Sequence, residues 1–358
     1  MANTTSIWEA KEWNHNEHNK QSEPSLQAAA DVLREGGLVA FPTETVYGLG
    51  ADARNSEAVA GIFAAKGRPS DNPLIVHIAN VQQLNELLLP YPDLAKRLMD
   101  RFWPGPLTIV LPVRSGVLSP LVTANLSTVG VRMPDHPLAL ELIKLAGCPV
   151  AAPSANRSGR PSPTLASHVI EDLDGRIAGI IDGGATGVGL ESTVLELEDG
   201  AVRILRPGGV TEEDIRQAFP EVELIGAVDA EEEAEKPRSP GMKYTHYAPK
   251  GELAIVDGAP DAVAAYIAGQ TEAAQRNGQT CGVLAFSENL SHYKADLVLD
   301  FGSSVKLEEA AHRLYAMLRA FDEAGIERIW AESAPSGGIG GALMNRLKKA
   351  AGGRFVKV

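Results

Sequence analysis

An apolar run gives way to hydroxyls, a carboxylate and two glycines in Leu38-Val-Ala-Phe-Pro-Thr-Glu-Thr-Val-Tyr-Gly-Leu-Gly50. The run from Leu38 to Phe41 predicts a buried strand, and Pro42 ends it. We therefore expect polar side chains at the end of this strand, which is where open α/β sheets bind their ligands. A helix predicted over residues 56–65 then leads to the two cations of Lys66-Gly-Arg-Pro69, a pair that suits an anionic ligand.

The composition limits the class of protein. With 358 residues, of which 44% are hydrophobic, the chain is long enough for two globular domains. A net charge of -13 disfavours a large nucleic-acid footprint, because duplex affinity comes mostly from Lys and Arg. Cys148 and Cys281 lie far apart without a CxxC spacing, so we expect two buried thiols rather than a disulfide or a zinc site. Since no apolar run approaches a membrane span and the N-terminus carries no signal pattern, we expect a cytoplasmic protein.

The periodicity of the chain predicts two α/β domains. Residues 1–22 show no periodicity and are interpreted as a partly ordered leader. Residues 23–225 alternate helices with short apolar strands and form the first domain. A linker is placed at residues 226–250, where an acidic run precedes a stretch with tyrosines, and residues 251–358 alternate strands with helices as a small parallel α/β domain does.

Several candidate site residues share a position at a strand end or in a polar loop. They are Thr43, His77, Thr123, Arg132, Ser154, Asn156, Ser192 and Arg206. Ser192 closes a glycine-rich loop, residues 182–192, whose backbone amides can come close to a ligand. The chain contains no Walker, GxGxxG or HExxH motif, so the common nucleotide and zinc patterns give no assignment.

Three features keep two interpretations each. Lys66 and Arg68 form either an anion pocket or a surface basic pair, and the strand-end arginines favour the pocket. Taken alone, His77 is more typical of a satisfied core histidine than of a ligand. The stretch Ser336-Gly-Gly-Ile-Gly-Gly-Ala-Leu-Met-Asn345 either holds a phosphate at a helix N-terminus or is a tight strand-to-helix turn, and we favour the turn.

Seven segments in register resemble the YrdC/Sua5 family. They are Phe41-Pro-Thr-Glu-Thr-Val-Tyr-Gly-Leu-Gly50, Lys66-Gly-Arg-Pro69, Asn72-Pro-Leu-Ile-Val-His77, Trp103-Pro-Gly-Pro-Leu-Thr108, Val131-Arg-Met-Pro134, Ala152-Pro-Ser-Ala-Asn156 and Glu191-Ser-Thr193. They cover roughly residues 22–220, and residues 239–249 with the α/β tail resemble the longer Sua5 branch. The resemblance implies a YrdC-like twisted mixed sheet with helices around a central concave cleft, plus a smaller Rossmann-like parallel α/β domain at the C-terminus.

The same resemblance implies a nucleotidyltransferase. Its reaction would join L-threonine, bicarbonate or CO2, and ATP into threonylcarbamoyl-adenylate and pyrophosphate, the first step toward t6A at position 37 of tRNA. Mg2+ would accompany ATP, with no protein ligand assigned. The product would pass to a tRNA threonylcarbamoyltransferase complex, and direct tRNA binding would be weak or absent.

The resemblance and the chemistry together assign roles to the candidate residues. Lys66 and Arg68 are the predicted catalytic pair, because cations stabilise the charge that develops on the triphosphate. The other residues are predicted to bind substrates. For L-threonine or its carbamate they are Thr43, His77, Arg132 and Ser192. For ATP they are Thr123, Ser154, Asn156, Arg206 and Tyr244 beside the catalytic pair, with Tyr244 as a lid from the linker.

Two other functions compete with this assignment. One is a double-stranded RNA-binding module, because related single-domain folds present a concave basic surface, although the acidic composition weighs against it. The other is the carbamoyl-transferring relative used in hydrogenase maturation. That system carries zinc-type cysteine pairs and an acyl-phosphatase-like part, both of which this sequence lacks.

Overall fold

The structure, a computed structural model, describes residues 4–10, 23–226 and 247–358. The chain divides into two units. The first comprises Met1–Ser158 and Ser162–Lys243, and the second comprises Gly159–Pro161 and Tyr244–Val358. The division near residue 243 lies inside the predicted linker, and most of that linker, including Tyr244, lies outside the described residues.

The first unit is built on one mixed sheet. Its strands are β1 (Ser6–Glu9), β2 (Val39–Phe41), β3 (Gly48–Asp52), β4 (Ile75–His77), β5 (Leu107–Pro112), β6 (Thr128–Arg132), β7 (Val150–Ala151), β8 (Gly179–Asp182), β9 (Thr193–Glu198), β10 (Ala201–Arg206) and β11 (Leu224–Ile225). They follow the order β1-β8-β2-β3-β7-β4-β6-β5-β9-β10-β11. The predicted mixed sheet is thereby confirmed.

Helices accompany this sheet. They are α1 (Glu23–Arg34), α2 (Ser56–Lys66), α3 (Leu84–Leu87), α4 (Asp93–Phe102), α5 (Pro120–Thr123), α6 (Pro137–Ala146), α7 (Ala166–Leu173) and α8 (Glu212–Ala218). A large apolar cluster includes β3, β5, α2 and α4 residues, and a second one joins α1 to α6. Within the described ranges, no helix combines the length and apolar character that crossing a membrane requires.

The leader that was predicted to be partly ordered contains an ordered strand at Ser6–Glu9. These residues form β1, which pairs in parallel with β8 at the edge of the sheet. Trp8 lies over Gly179, where any β-carbon would overlap the indole ring. A four-residue strand is too short to show a period of two, so the pairing comes from tertiary contacts that the local pattern does not carry.

The directions of the strands change the expected location of the site. β2 is antiparallel to β3, β3 to β7, and β7 to β4. Polar side chains follow β2 at Thr43 and Thr45, as expected, but β2 and β4 run in opposite directions, so their carboxyl ends lie at opposite ends of the strands. Their side chains meet over a face instead, as the edge-to-face contact of Phe41 with His77 at 6.2 Å illustrates.

Local capping explains where α2 begins and ends. The Asn55 side chain accepts hydrogen bonds from the backbone of Glu57 and Ala58, which satisfies two of the first N–H groups of the helix. Gly67 ends the helix in a left-handed conformation with φ of 61°, where glycine carries no β-carbon penalty. Lys66 is thus the last helical residue, held against the core with 4% exposure.

The second unit is the predicted small parallel α/β domain. Its strands are β12 (Glu252–Asp257), β13 (Cys281–Ala285), β14 (Leu297–Asp300), β15 (Arg328–Glu332) and β16 (Phe355–Lys357), in the order β14-β13-β15-β12-β16. Its helices are α9 (Pro260–Arg276), α10 (Leu307–Glu323) and α11 (Gly340–Ala350). Each strand pair in this sheet is parallel.

The glycine-rich stretch before α11 is a tight strand-to-helix turn. A β-carbon at Gly340 would overlap the Pro335 carbonyl oxygen, so the close approach of the backbone to itself requires glycine here. The carboxylate of Glu332 at the end of β15 is already satisfied, because it accepts hydrogen bonds from Phe286, Asn289 and Tyr293. These contacts favour the structural interpretation of the turn.

Candidate functional site

The hydroxyl of Thr43 organises the loop that follows β2. It donates to the Val46 carbonyl at 2.7 Å and accepts the backbone N–H groups of Thr45 and Val46. The Thr45 hydroxyl lies 2.8 Å away and is fully buried. The loop is thereby folded by its own side chains. Thr43 stays a predicted threonine ligand, and Thr45 joins it as a candidate.

The ammonium of Lys66 braces the turn after β7. Its Nζ lies 2.5 Å from the Ser154 carbonyl oxygen, 2.6 Å from the Asn156 carbonyl oxygen and 3.4 Å from Asn156 Oδ1. The Ser154 hydroxyl donates to the same Oδ1 at 2.6 Å. The structure therefore brings together three of the predicted ATP-binding residues. Because these oxygens can take up every donor of an ammonium, Lys66 acts on this turn directly.

Burial controls the charge of Lys66. It lowers the pKa of the ammonium well below its ordinary value, the nearby Arg68 lowers it further, and Asp172 opposes both. Asp172 lies on α7 and is 2% exposed, and one of its carboxylate oxygens accepts the Arg157 N–H. A carboxylate thus supports both the cation and the turn that the cation holds. No sequence pattern singles out Asp172, because it lies on α7, a helix that the periodicity does not predict.

Ser192 is held by an arginine and a threonine. Arg206 Nε and Nη2 donate to the Ser192 carbonyl oxygen at 3.1 and 2.9 Å, and Nη2 also contacts Ser192 Oγ at 3.1 Å. The Thr108 and Ser192 hydroxyls are 2.8 Å apart. All three residues are at most 5% exposed. Thr108 was not singled out, although it lies inside the Trp103–Thr108 segment that carries the resemblance.

Gly208 permits the close packing behind Ser192. A β-carbon at this position would overlap backbone atoms of Glu191, Ser192 and Thr193. Since backbone atoms cannot rotate away as a side chain can, a larger residue must displace the segment that carries the Ser192 hydroxyl.

We expect Gly208→Ala to lower the free energy of unfolding by about 1–3 kcal/mol, the usual cost of overpacking, and to weaken threonine binding. Chemical denaturation and calorimetric titration with threonine measure the two effects. Gly269→Ala is the matched control, because this position in α9 has open space around the added carbon and alanine favours a helix by about 0.5–1 kcal/mol. Equal behaviour of the two variants would contradict the packing argument.

His77 and Arg132 lie side by side on β4 and β6, where the structure pairs them in register. Burial lowers the pKa of His77 to about 3, and the neighbouring Arg132 contributes to the shift. The imidazole is therefore neutral at physiological pH. Its Nδ1 atom is buried and makes no hydrogen bond. A buried polar atom of this kind is a natural partner for a ligand.

The sheet places two groups of residues next to each other. The Arg132 group consists of His77 and Arg132, and the Ser192 group consists of Thr108, Ser192 and Arg206. Ile109 on β5 pairs with Val131 on β6, so Thr108 lies across from Arg132. Arg132 Nε also donates to the Gly105 carbonyl oxygen at 3.4 Å. His77, Arg132 and Thr108 thus lie on the adjacent strands β4, β6 and β5, and Ser192 directly precedes β9, the next strand in the sheet. This arrangement gathers all the predicted threonine-binding residues except Thr43.

The two remaining predicted residues are less closely tied to this group. Arg68 lines an open pocket of about 560 Å3 beside the apolar side chains of Phe63 and Leu121. The Thr123 hydroxyl contacts the Pro120 carbonyl oxygen within its own short helix. Their assignment to ATP therefore stays a prediction. Across the described ranges, no group of three or more His, Cys, Asp or Glu side chains is placed to hold a metal ion.

Known protein families match this chain over most of its length. Residues 31–208 match the Sua5_yciO_yrdC family, described as "Telomere recombination", and residues 210–352 match the Sua5_C family, described as "Threonylcarbamoyl-AMP synthase, C-terminal domain". A Bacillus subtilis protein named threonylcarbamoyl-AMP synthase is 54% identical over 94% of this chain and 95% of its own length. A Pyrococcus abyssi protein of the same name is 48% identical over 93% of this chain and 96% of its own length.

A solved structure is similar over nearly the entire chain. The crystal structure of Pyrococcus abyssi Sua5 complexed with L-threonine has a TM-score of 0.91 at 46% identity, with 99% of this chain and 100% of that chain covered. Escherichia coli YciO shares the fold of the first part, with a TM-score of 0.51 at 22% identity over 57% of this chain and 96% of that chain.

Proposed function

This chain belongs to the Sua5/YciO/YrdC family and carries the C-terminal domain of the synthases, and we propose that it is a threonylcarbamoyl-AMP synthase. It converts L-threonine, bicarbonate or CO2, and ATP into threonylcarbamoyl-adenylate and pyrophosphate. One observation carries the proposal: buried cations and hydroxyls stand on adjacent strands of a chain whose solved relative holds L-threonine. The double-stranded RNA-binding alternative is not favoured, because the curated relatives carry the synthase name.

The reaction must gather several negative charges in one place. Threonine carries a carboxylate, its carbamate adds a second negative charge, and ATP brings a triphosphate. Lys66, Arg132 and Arg206 are each at most 5% exposed, so their charges act where water screens them little. Holding the carbamate oxygen in line with the α-phosphorus then supplies much of the rate enhancement.

Threonine recognition falls to the Arg132 and Ser192 groups. Arg132 offers a planar fork of donors to the carboxylate or the carbamate. Ser192 and the neutral His77 bind the remaining polar groups of the amino acid. Because Arg206 holds both the carbonyl and the hydroxyl of Ser192, it contributes to threonine binding as well as to the predicted contact with ATP.

Nucleotide binding falls to the turn that Lys66 braces and to Arg68. Ser154 and Asn156 present a hydroxyl and an amide at this turn, and Arg68 follows the Gly67 cap of α2. Mg2+ enters with ATP, because phosphate oxygens are ligands that this ion prefers. The labile adenylate then passes to an enzyme that transfers the threonylcarbamoyl group to tRNA.

The test is a product assay. The protein is incubated with ATP, labelled bicarbonate and threonine, and the adenylate is detected by mass while pyrophosphate release is followed over time. We expect pyrophosphate release to require both threonine and bicarbonate. Release that is independent of threonine, or the absence of the labelled adenylate, would contradict the proposed function.

A further inference from the structure

Glu44 is a buried carboxylate inside the site, and no role follows for it from the functions above. It lies between Thr43 and Thr45 in the loop after β2, and its side chain is 12% exposed. Neither of its carboxylate oxygens makes a hydrogen bond. Leaving a buried carboxylate without donors costs several kcal/mol, so its retention calls for a compensating charge or a use.

Arg132 supplies the compensating charge. Its Nη2 lies 2.6 Å from Glu44 Oε2, and both of these atoms are shielded from solvent. The angles at this contact do not meet hydrogen-bond geometry, so Nη2 remains without a directional partner. The other polar contact of the guanidinium is the long one from Nε to the Gly105 carbonyl oxygen. The arginine is therefore neutralised by Glu44 while its donors are not fully used.

The backbone fixes where the Glu44 carboxylate stands. Thr43 folds the loop on one side of Glu44, and the Glu44 carbonyl oxygen accepts the Val188 N–H at 2.6 Å on the other. Gly189 N–H bonds the Thr45 carbonyl oxygen in the same way. The glycine-rich loop thus holds residues 44 and 45 through two backbone hydrogen bonds. These bonds fix the backbone position from which the Glu44 carboxylate reaches Arg132.

We propose that Glu44 is a positioning residue that acts through Arg132: it holds the guanidinium in the orientation in which its donors meet the carboxylate or carbamate of threonine. The inference rests on the proposed function and deepens it. Without Glu44, the guanidinium is a buried and unpaired charge that reorients toward solvent or toward other acceptors. Its planar fork then no longer faces the substrate, and threonine binding weakens.

Two other titratable groups lie within the field of Glu44. Burial raises the pKa of Asp135 and Glu44 adds to this effect, whereas burial lowers the pKa of His136 and Glu44 opposes it. Both residues lie within four positions of the end of β6, and His136 Nδ1 is buried without a hydrogen bond. The negative charge of Glu44 therefore reaches the segment that carries Arg132 as well as Arg132 itself.

The test compares Glu44→Gln, which keeps the shape and removes the charge, with the wild-type protein. We expect the KM for threonine to rise about tenfold or more, the scale of one charge-assisted interaction, while the KM for ATP changes less than about twofold. Glu212→Gln is the matched control, because Glu212 contacts Arg216 at the same 2.6 Å in an ion pair on the surface of α8. We expect it to change neither constant.

A double-mutant cycle with Arg132→Gln separates positioning from a general structural effect. If Glu44 acts through Arg132, Glu44→Gln has no further effect on threonine affinity once Arg132 is replaced. Additive losses, an equal loss for ATP, or an unchanged KM for threonine would overturn the inference. Calorimetric titration with threonine gives the same comparison without turnover. A wild-type protein that binds threonine yet forms no adenylate would therefore refute the proposed function while the titration still decides the role of Glu44.

Discussion

We expect Lys66→Ala to reduce the rate of pyrophosphate release by about three orders of magnitude. This corresponds to a loss of about 4 kcal/mol in transition-state stabilisation. The substitution removes one cation from the site. It also removes the donor that the carbonyl oxygens of Ser154 and Asn156 share, and the loss at the buried Asn156 carbonyl costs about 1–3 kcal/mol. Both effects fall on the turn that is predicted to bind ATP. Steady-state measurement of threonine-dependent pyrophosphate release gives the result.

Two variants interpret this loss. Lys66→Met keeps the aliphatic stem and removes the donors, so activity as low as that of Lys66→Ala assigns the effect to the amine rather than to packing. Lys144→Ala removes a lysine whose side chain is 69% exposed on α6 and is expected to have no effect. Near-normal turnover of Lys66→Ala would remove Lys66 from the mechanism.

Acid is expected to destabilise the first unit through His77. Its pKa is 6.5 in the unfolded chain and about 3 in the folded protein, because burial disfavours the imidazolium. Between these values the folded protein binds fewer protons than the unfolded chain, so stability rises with pH. The contribution is complete above pH 6.5 and is lost as the pH falls toward 3, at up to about 1.4 kcal/mol per pH unit.

His77→Gln isolates this contribution. The variant carries no titrating ring. Between pH 6 and 4, the slope of its unfolding free energy against pH should therefore be shallower by the contribution of about one bound proton. Denaturant titrations at several pH values measure the slope. His292→Gln, at an exposed position of the second unit, is the control. An unchanged slope in His77→Gln, or an equal change in both variants, would contradict the prediction.

Apolar runs and cation-bearing loops predicted much of the fold and of the site. The strand that ends at Phe41, the helix that ends at Lys66 and the parallel C-terminal domain are all observed. His77 and Arg132 lie on neighbouring strands and Ser192 directly precedes a strand of the same sheet, as their place at strand ends suggested. These features could be predicted because each depends on a local hydrophobic period or on a short motif. The motifs resemble those of the family in order and in spacing.

The other features depend on partners that are distant in the sequence. The strand from Ser6 to Glu9 forms because it pairs with β8, which follows about 170 residues later in the sequence. The location of the site over a face of the sheet follows from antiparallel pairing of β2 with β3, which local patterns do not specify. Glu44 is a similar case, since its role depends on Arg132, which no spacing along the chain connects to it.

The β1 strand has a consequence for the colloidal behaviour of the protein. In its absence, β8 would become the edge of the sheet and expose the backbone of Gly179-Ile180-Ile181-Asp182, an apolar segment with a single terminal charge. Unpaired edges of this kind recruit strands from other molecules and seed aggregates. Trp8 and its neighbours thus protect solubility, and additions or cleavage near Ser6 carry a risk of precipitation even where catalysis is untouched.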